Sequence, residues 1–326
     1  MINACVHTPG APLRTNISSD EMRAAIADPQ ALLWVDIQPE SREEAEPLLR
    51  DLFQFHHLTI DDCFNTLIDP PKVDDYGNYL FMIIHAVHYN GQAGDLWTAE
   101  LDMYVGPNYV VSVHWSPLTA VNEVRRRAEN GGLVMGRGAA FLAHALFDVI
   151  VDEYHPVMNE LDEEIDRLQT LALAHPERPV LEDLMRLKRS TQRLRRTIYP
   201  QRDLANRFAR GEYAHLVGTD ALMYYRDIYD HTVRVEEMID SVRDIAESAL
   251  NTYLSSVNNR INDVMKTLAI VAVVFLPMTL IASIYGTNFE HTIPGYDTGW
   301  GFAAMIAGFV VIAFLLWGWF RARRWL

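Results

Sequence analysis

The side chains of this 326-residue chain that could do chemistry are mostly oxygen donors. Asp and Glu number 43 against 28 Lys and Arg, a formal charge of −15. That balance suits a cation as partner and argues against nucleic acid, which needs a basic face. Cys5 and Cys63 are the only cysteines, too few for a disulfide framework or a Cys-rich zinc site. His85 and His88 fall in one predicted strand and point to opposite faces of it, which reads as structural. No nucleophile elbow, P-loop, HExxH or dinucleotide fingerprint occurs, so no enzyme is expected. Asn262, Met265, Leu268, Ala272, Leu276 and Thr279 recur at steps of three or four and share one helix face. Asn288 follows, with Glu290 just beyond. Taken alone, such a face is what helix packing produces, and Asn288 suits a helix C-cap. Asp61, Asp62, Asp148 and Asp227, read alone, are hydrated surface carboxylates.

Two uncharged windows must carry the helix face. Leu268–Tyr285 has eighteen residues and Trp300–Phe320 twenty-one; a spanning helix needs about 20, with a lower limit near ~17. Trp300 at one end of the second window, and Trp317, Trp319 and Trp325 near the other, suit the two membrane interfaces. Lys266 precedes the first window, and Arg321, Arg323 and Arg324 follow the second. Basic residues mark the cytoplasmic side. Both termini are therefore expected inside, with loop 286–299 outside and 321–326 a basic cytoplasmic tail. The N-terminus lacks the apolar run of a secretory signal, so the residues ahead of the windows are expected in the cytoplasm. Two spans cannot enclose a hydrophilic pathway, so any conduit needs several chains around an axis.

Residues 1–138 read as a mixed α/β domain. Strands are predicted at Ala31–Ile37, Tyr79–Tyr89, Leu101–Val105 and Tyr109–Trp115, with turns at Tyr89–Gly94 and Gly106–Asn108. Helices are predicted at Ser41–Phe55 and Leu118–Glu129. Residues 139–219 read as a helical hairpin, acidic over Asp148–Arg167 and basic over Arg186–Arg210, broken at His175–Pro179. Residues 220–285 carry no Gly or Pro before Pro277. Their heptad-like apolar spacing predicts one stalk helix continuing into the first span, ~100 Å long at ~1.5 Å per residue.

Several stretches together resemble the CorA family of divalent-cation channels. They are YYRDIYDH (Tyr224–His231), TYLSSVNNRINDVMKTL (Thr252–Leu268), VFLPMTLIASIYGTNFE (Val274–Glu290) and the ending RARRWL. ELDEEIDRL, RLRRTIYPQRD and LTIDD (Leu58–Asp62) add to the likeness. One departure stands out: the family's Gly-Met-Asn reads Gly286-Thr287-Asn288 here, which bears on ion selectivity.

The resemblance implies an α+β cytoplasmic domain, a long-helix stalk and two C-terminal transmembrane helices. It implies a funnel-shaped homopentamer in the inner membrane, the long helix lining the pore and the second span outside it. The expected cargo is Mg²⁺, with Co²⁺ and Ni²⁺ as further candidates. Alternatives are a Zn²⁺ transporter of the ZntB type and a membrane-anchored divalent-cation sensor that conducts nothing. Mg²⁺ sheds its first-shell water slowly, so neutral oxygens that accept hydrogen bonds from that water suit a pore mouth. Asn288 would supply such a ring, with Gly286 letting the backbone turn and Glu290 concentrating cations. Thr279 would add a hydroxyl ring, and Leu268 and Met265 an apolar constriction. By the same resemblance Asp62 and a neighbouring chain's Asp227 share a regulatory Mg²⁺, while Asp61 and Asp148 match a second position.

Overall fold

The computed structural model describes residues 1–65, 68–90, 95–130, 134–287 and 299–323. The chain divides into two units, Met1–Asn251 and Thr252–Leu326. The first is built on a seven-stranded sheet in the order β2-β1-β3-β7-β6-β5-β4. Its strands are β1 (Ile2–His7), β2 (Arg14–Thr15), β3 (Leu32–Ile37), β4 (Lys72–Asp75), β5 (Leu80–Asn90), β6 (Asp95–Val105) and β7 (Tyr109–Val113). All neighbours are antiparallel except β3 and β7. Every residue of β3 and β7 is buried, as expected of central strands covered on both faces.

On one face lie α1 (Ser19–Ala27), α2 (Arg42–Pro47) and α3 (His57–Cys63). Leu49, Phe53, Phe55 and Ile60 pack there against Val35, Phe81, Ile83 and Tyr104. The other face carries α5 (Ala139–Asp152), α6 (Tyr154–Ala174) and α7 (Arg178–Ala209), with α4 (Thr119–Glu129) beside α5. The predicted helix over Ser41–Phe55 is thus shorter: after α2 the chain makes a π-helical turn, Leu48–Leu52. β6 begins at Asp95, not Leu101, because it pairs with β5 along its whole length, from Leu80↔Val105 to Asn90↔Asp95. Gly91–Gly94 of the predicted turn lie outside the described residues. The β6–β7 turn is as expected, and Gly106 is required there: a Cβ would fall inside the Tyr109 ring.

The helical hairpin forms, with α6 ending at Ala174 and α7 starting at Arg178. Gly211, at φ +79°, closes α7: its N–H donates to the Phe208 carbonyl and that of Glu212 to Arg207, a Schellman end. The opposite charges of α6 and α7 suggest pairing across the hairpin. Instead, cations of α7 reach the long helix α9 (Leu222–Tyr285): Arg202 to Glu236 at 2.6 Å, Arg195 to Asp240 at 3.8 Å and Lys188 to Glu247 at 3.8 Å. A short helix, α8 (Ala214–Val217), lies between them in sequence.

α9 has 64 residues and continues through Pro277. Its buried line runs through Tyr225, Ile228, Val235, Ile239, Val242, Ala246, Ala249 and Tyr253. Past Tyr253 none of its described residues is buried. The second unit holds that remainder and α10 (Gly299–Ala322). Both helices contain windows long and apolar enough to cross a membrane, 0% and 6% buried.

Candidate ion-binding sites

Two groups of aspartates stand in the first unit. α3 is begun by the His56 ring, whose Nδ1 accepts the Leu58 N–H. Thr59, Ile60 and Cys63 turn inward, which leaves Asp61 and Asp62 on the outer side. Each already has a cation. Asp61 accepts from Arg42 at 2.6 Å, and Asp62 from Lys72 at 2.6 Å, with Asp74 3.7 Å from the same ammonium. Beneath them Glu100 and Asp102 share one face of β6. Asp102 is buried near the Cys63 thiol, which sits 3.3 Å from the Tyr104 hydroxyl. Burial lifts the Glu100 carboxyl to about 7 and Asp102 well above the usual carboxylate range, where the Glu100 charge adds to it.

The second group lies where α5 meets the start of α9. Asp148, Asp152 and His231 each bring a ligand atom within 4.8 Å of the others. His231 Nδ1 is 3.6 Å from Asp152, and its Nε2 is 3.9 Å from the exposed Asp227 carboxylate. Burial raises the Asp148 carboxyl, and the nearby His144 opposes that shift; burial lowers His144, and Asp148 opposes it in turn. Two carboxylates and an imidazole can bind a divalent ion, and the nitrogen favours metals softer than Mg²⁺. Asp148 and Asp227 are therefore brought together. Among the described residues, no hydrogen bond or ion pair joins Asp61 or Asp62 to either. Asp152 and His231 have no assigned role in the sequence reading, yet the signal was legible: Asp148/Asp152 and Asp227/His231 are both i, i+4 pairs, each on one helix face.

In the second unit Asn262, Met265, Leu268, Ala272, Leu276 and Thr279 are all exposed in the single chain. The Thr279 hydroxyl donates to the Phe275 carbonyl at 2.8 Å, leaving its oxygen lone pairs available. At the end of α9 the Thr287 hydroxyl donates to Ile284 O at 2.7 Å, and Gly286 N–H donates to Ala282 O at 2.9 Å. Thr287 is thus a local helix cap. Gly286 stands in the turn that ends α9, but its φ is not positive and a Cβ there would meet carbonyls at 3.4 and 3.5 Å, ordinary contacts, so the turn does not demand glycine. Asn288, Glu290 and Arg324 lie outside the described residues. Arg321 and Arg323 lie over the rings of Trp317 and Trp319, at 5.6 and 5.9 Å. His85, as expected, is structural in its main contacts: it is buried, its backbone N–H donates to Gln201 Oε1 at 2.9 Å, and its carbonyl accepts from Tyr154.

Comparison with known proteins gives this arrangement its setting. The family model described as "CorA-like Mg2+ transporter protein" matches residues 29–323. The cobalt/magnesium transport protein CorA of Thermotoga maritima is 32% identical over 294 residues, 90% of this chain and 83% of its own. A putative metal ion transporter of Bacillus subtilis is 33% identical over 301 residues, 89% of this chain and 91% of its own. The solved CorA magnesium transporter of Methanocaldococcus jannaschii superposes with a TM-score of 0.83 over 99% of this chain and 98% of that one, at 22% identity. The chain belongs to the CorA-like Mg²⁺ transporter family: it is a divalent-cation transporter and not an enzyme, with two C-terminal transmembrane helices and its soluble domain on the cytoplasmic side of the inner membrane.

Proposed function

We propose that the protein is a homopentameric channel for Mg²⁺, also passing Co²⁺ and Ni²⁺, and shut by cytoplasmic Mg²⁺. The observation that carries this reading is the bare face of α9. Six residues from Asn262 to Thr279 lie on one side of a spanning helix with no cover from their own chain. Two spans per chain cannot surround a pathway, and five copies packed on that face would. The axis would then carry an amide at Asn262, an apolar neck at Met265 and Leu268, and a hydroxyl at Thr279. Such a neck closes by dewetting as well as by occlusion. Asn288, beyond the last turn, would meet the hydrated ion at the mouth.

Closure is assigned to the carboxylates. A cation between Asp62 of one chain and Asp227 of the next would turn repulsion across the interface into attraction, and Asp61 and Asp148 would serve a second position. In domain terms, residues 1–138 and 139–219 would sense the ion, 220–285 would transmit and conduct, and 300–320 would enclose the pore.

The purified protein in liposomes, offered Mg²⁺, Co²⁺, Ni²⁺ and Zn²⁺ in turn with and without a pH gradient, should take up Mg²⁺ and the two transition ions without needing the gradient. Uptake of Zn²⁺ alone, or only with the gradient, would make it a zinc transporter. Native mass spectrometry in mild detergent should give five chains. A pentamer that binds metal but leaks none would make it a sensor.

A further inference from the structure

In a chain with 43 acidic and 28 basic residues, carboxylates outnumber the cations that could pair with them. The long helix α7 has two basic faces of different character. Lys188, Arg195 and Arg202 turn towards α9 and are neutralised there. Arg189, Arg193 and Arg196, spaced i, i+4 and i+7, are exposed, and their guanidiniums make no hydrogen bond or ion pair among the described residues. Three like charges on one face repel, so the stripe costs stability and gains nothing from within the chain.

The last two of these arginines line a cavity of about 430 Å³ between α7 and the β4–β5–β6 side of the sheet, inside the ~300–1,000 Å³ range of small-molecule sites. Trp97 lines it as well, with 51% of its surface exposed and the His88 ring 5.5 Å away. Pro70 and Pro71 add rigid apolar surface, and Asp69 is the one carboxylate in the lining. His85, only 2% exposed, also lines the cavity. Its Nε2 donates to the Asp69 carbonyl at 2.7 Å, which leaves Nδ1 as an acceptor. That atom is buried and has no partner among the described residues. Burial holds the imidazole at about 4, so it is neutral at physiological pH.

These features ask for one molecule with two parts. Two guanidiniums, each a planar fork of donors, suit phosphate oxygens. An exposed indole suits a flat ring stacked on it. The geometry points to a binding site for a nucleoside phosphate on the cytoplasmic unit, its phosphates held by Arg193 and Arg196 and its base against Trp97. A bare phosphate would use the arginines alone and leave most of the cavity empty.

The test is calorimetric titration of the full-length protein in detergent with ADP, adenosine and inorganic phosphate, free Mg²⁺ being held constant so that chelation contributes no heat. ADP should bind saturably, and on the order of tenfold or more tighter than either half. The double change Arg193→Gln/Arg196→Gln should weaken ADP by a similar factor or more. Trp97→Ala should weaken it also, with Trp97→Phe restoring it. All three side chains are exposed, and a melting temperature no lower than that of the wild type confirms that the variants fold. Absence of saturable ADP binding would overturn the proposal. So would ADP affinity indifferent to the two arginines, or phosphate binding as tightly as ADP, which would leave only a bare anion site.

Discussion

Thr287, which the resemblance sets against the methionine of Gly-Met-Asn, has in the structure a job that methionine cannot do. Its hydroxyl closes the last turn of α9 on the Ile284 carbonyl. Thr287→Met removes a helix-end hydrogen bond worth ~1 kcal/mol from a site beside the proposed mouth. Flux should persist in Thr287→Met, with the ratio of Co²⁺ to Mg²⁺ uptake altered; an unchanged ratio would show that this position has no part in selectivity. Asn288→Ala should abolish flux while leaving the oligomer intact, since the amide is proposed to meet the hydrated ion. Full flux in that variant would return Asn288 to the role of a helix cap. At this scale the sequence was legible where chemistry follows from residue type, as with the aspartates. It was not legible where a partner decides. That Asp61 and Asp62 hold Arg42 and Lys72 depends on the start of α2 and on β4 being brought beside α3.

Among the elements, those with strong periodicity were readable and those with short or mixed patterns were not. β5, β7, α4, α6, α7 and α9 lie close to where the residues predict them. β1 (INACVH) has only a weak alternation and is a strand because it pairs with all of β3. The capping box at Ser18 and Glu21 is a legible start signal for α1, yet the helix it opens has only a weak apolar face. In α9 the apolar spacing suggests Ile245 and Leu250 for the buried line. Ala246 and Ala249 are buried instead, because small side chains let neighbouring helices approach closely.

The layer of α3 on β6 carries a pH consequence. Burial lifts Glu100 from its ordinary 4.5 to about 7, so the folded chain binds this proton more tightly than the unfolded one. The stabilisation is then complete below about 4.5 and is lost as pH rises through about 7. The melting temperature of the full-length protein should fall between pH 5 and pH 8, and Glu100→Gln should flatten that fall. An identical slope in Glu100→Gln would place the titration elsewhere, with the half-buried Glu153 the next group to replace, since it too is raised to about 7.

For the whole molecule the proposed switch is a shift between two assemblies. Moving such an equilibrium from 1:99 to 99:1 takes ~5.5 kcal/mol, only ~1 kcal/mol from each of five sites. Weak sites therefore suffice. Asp227→Ala should conduct at internal Mg²⁺ concentrations that shut the wild type, read as flux against internal Mg²⁺; superimposable curves would mean that Asp227 is solvated surface. The ammonium of Lys72 on Asp62 adds a further consequence. An arriving divalent ion does not enter a vacant seat but evicts a tenant, so its apparent affinity is the intrinsic one discounted by the contact it replaces. In the proposed switch the set point would then be tuned by a residue that never touches the ion. Lys72→Met should move half-inhibition to lower Mg²⁺, and an unmoved midpoint would count against Asp62 as the seat. Selection could thus retune the threshold to the salt of a habitat by altering the competitor and sparing the ligands.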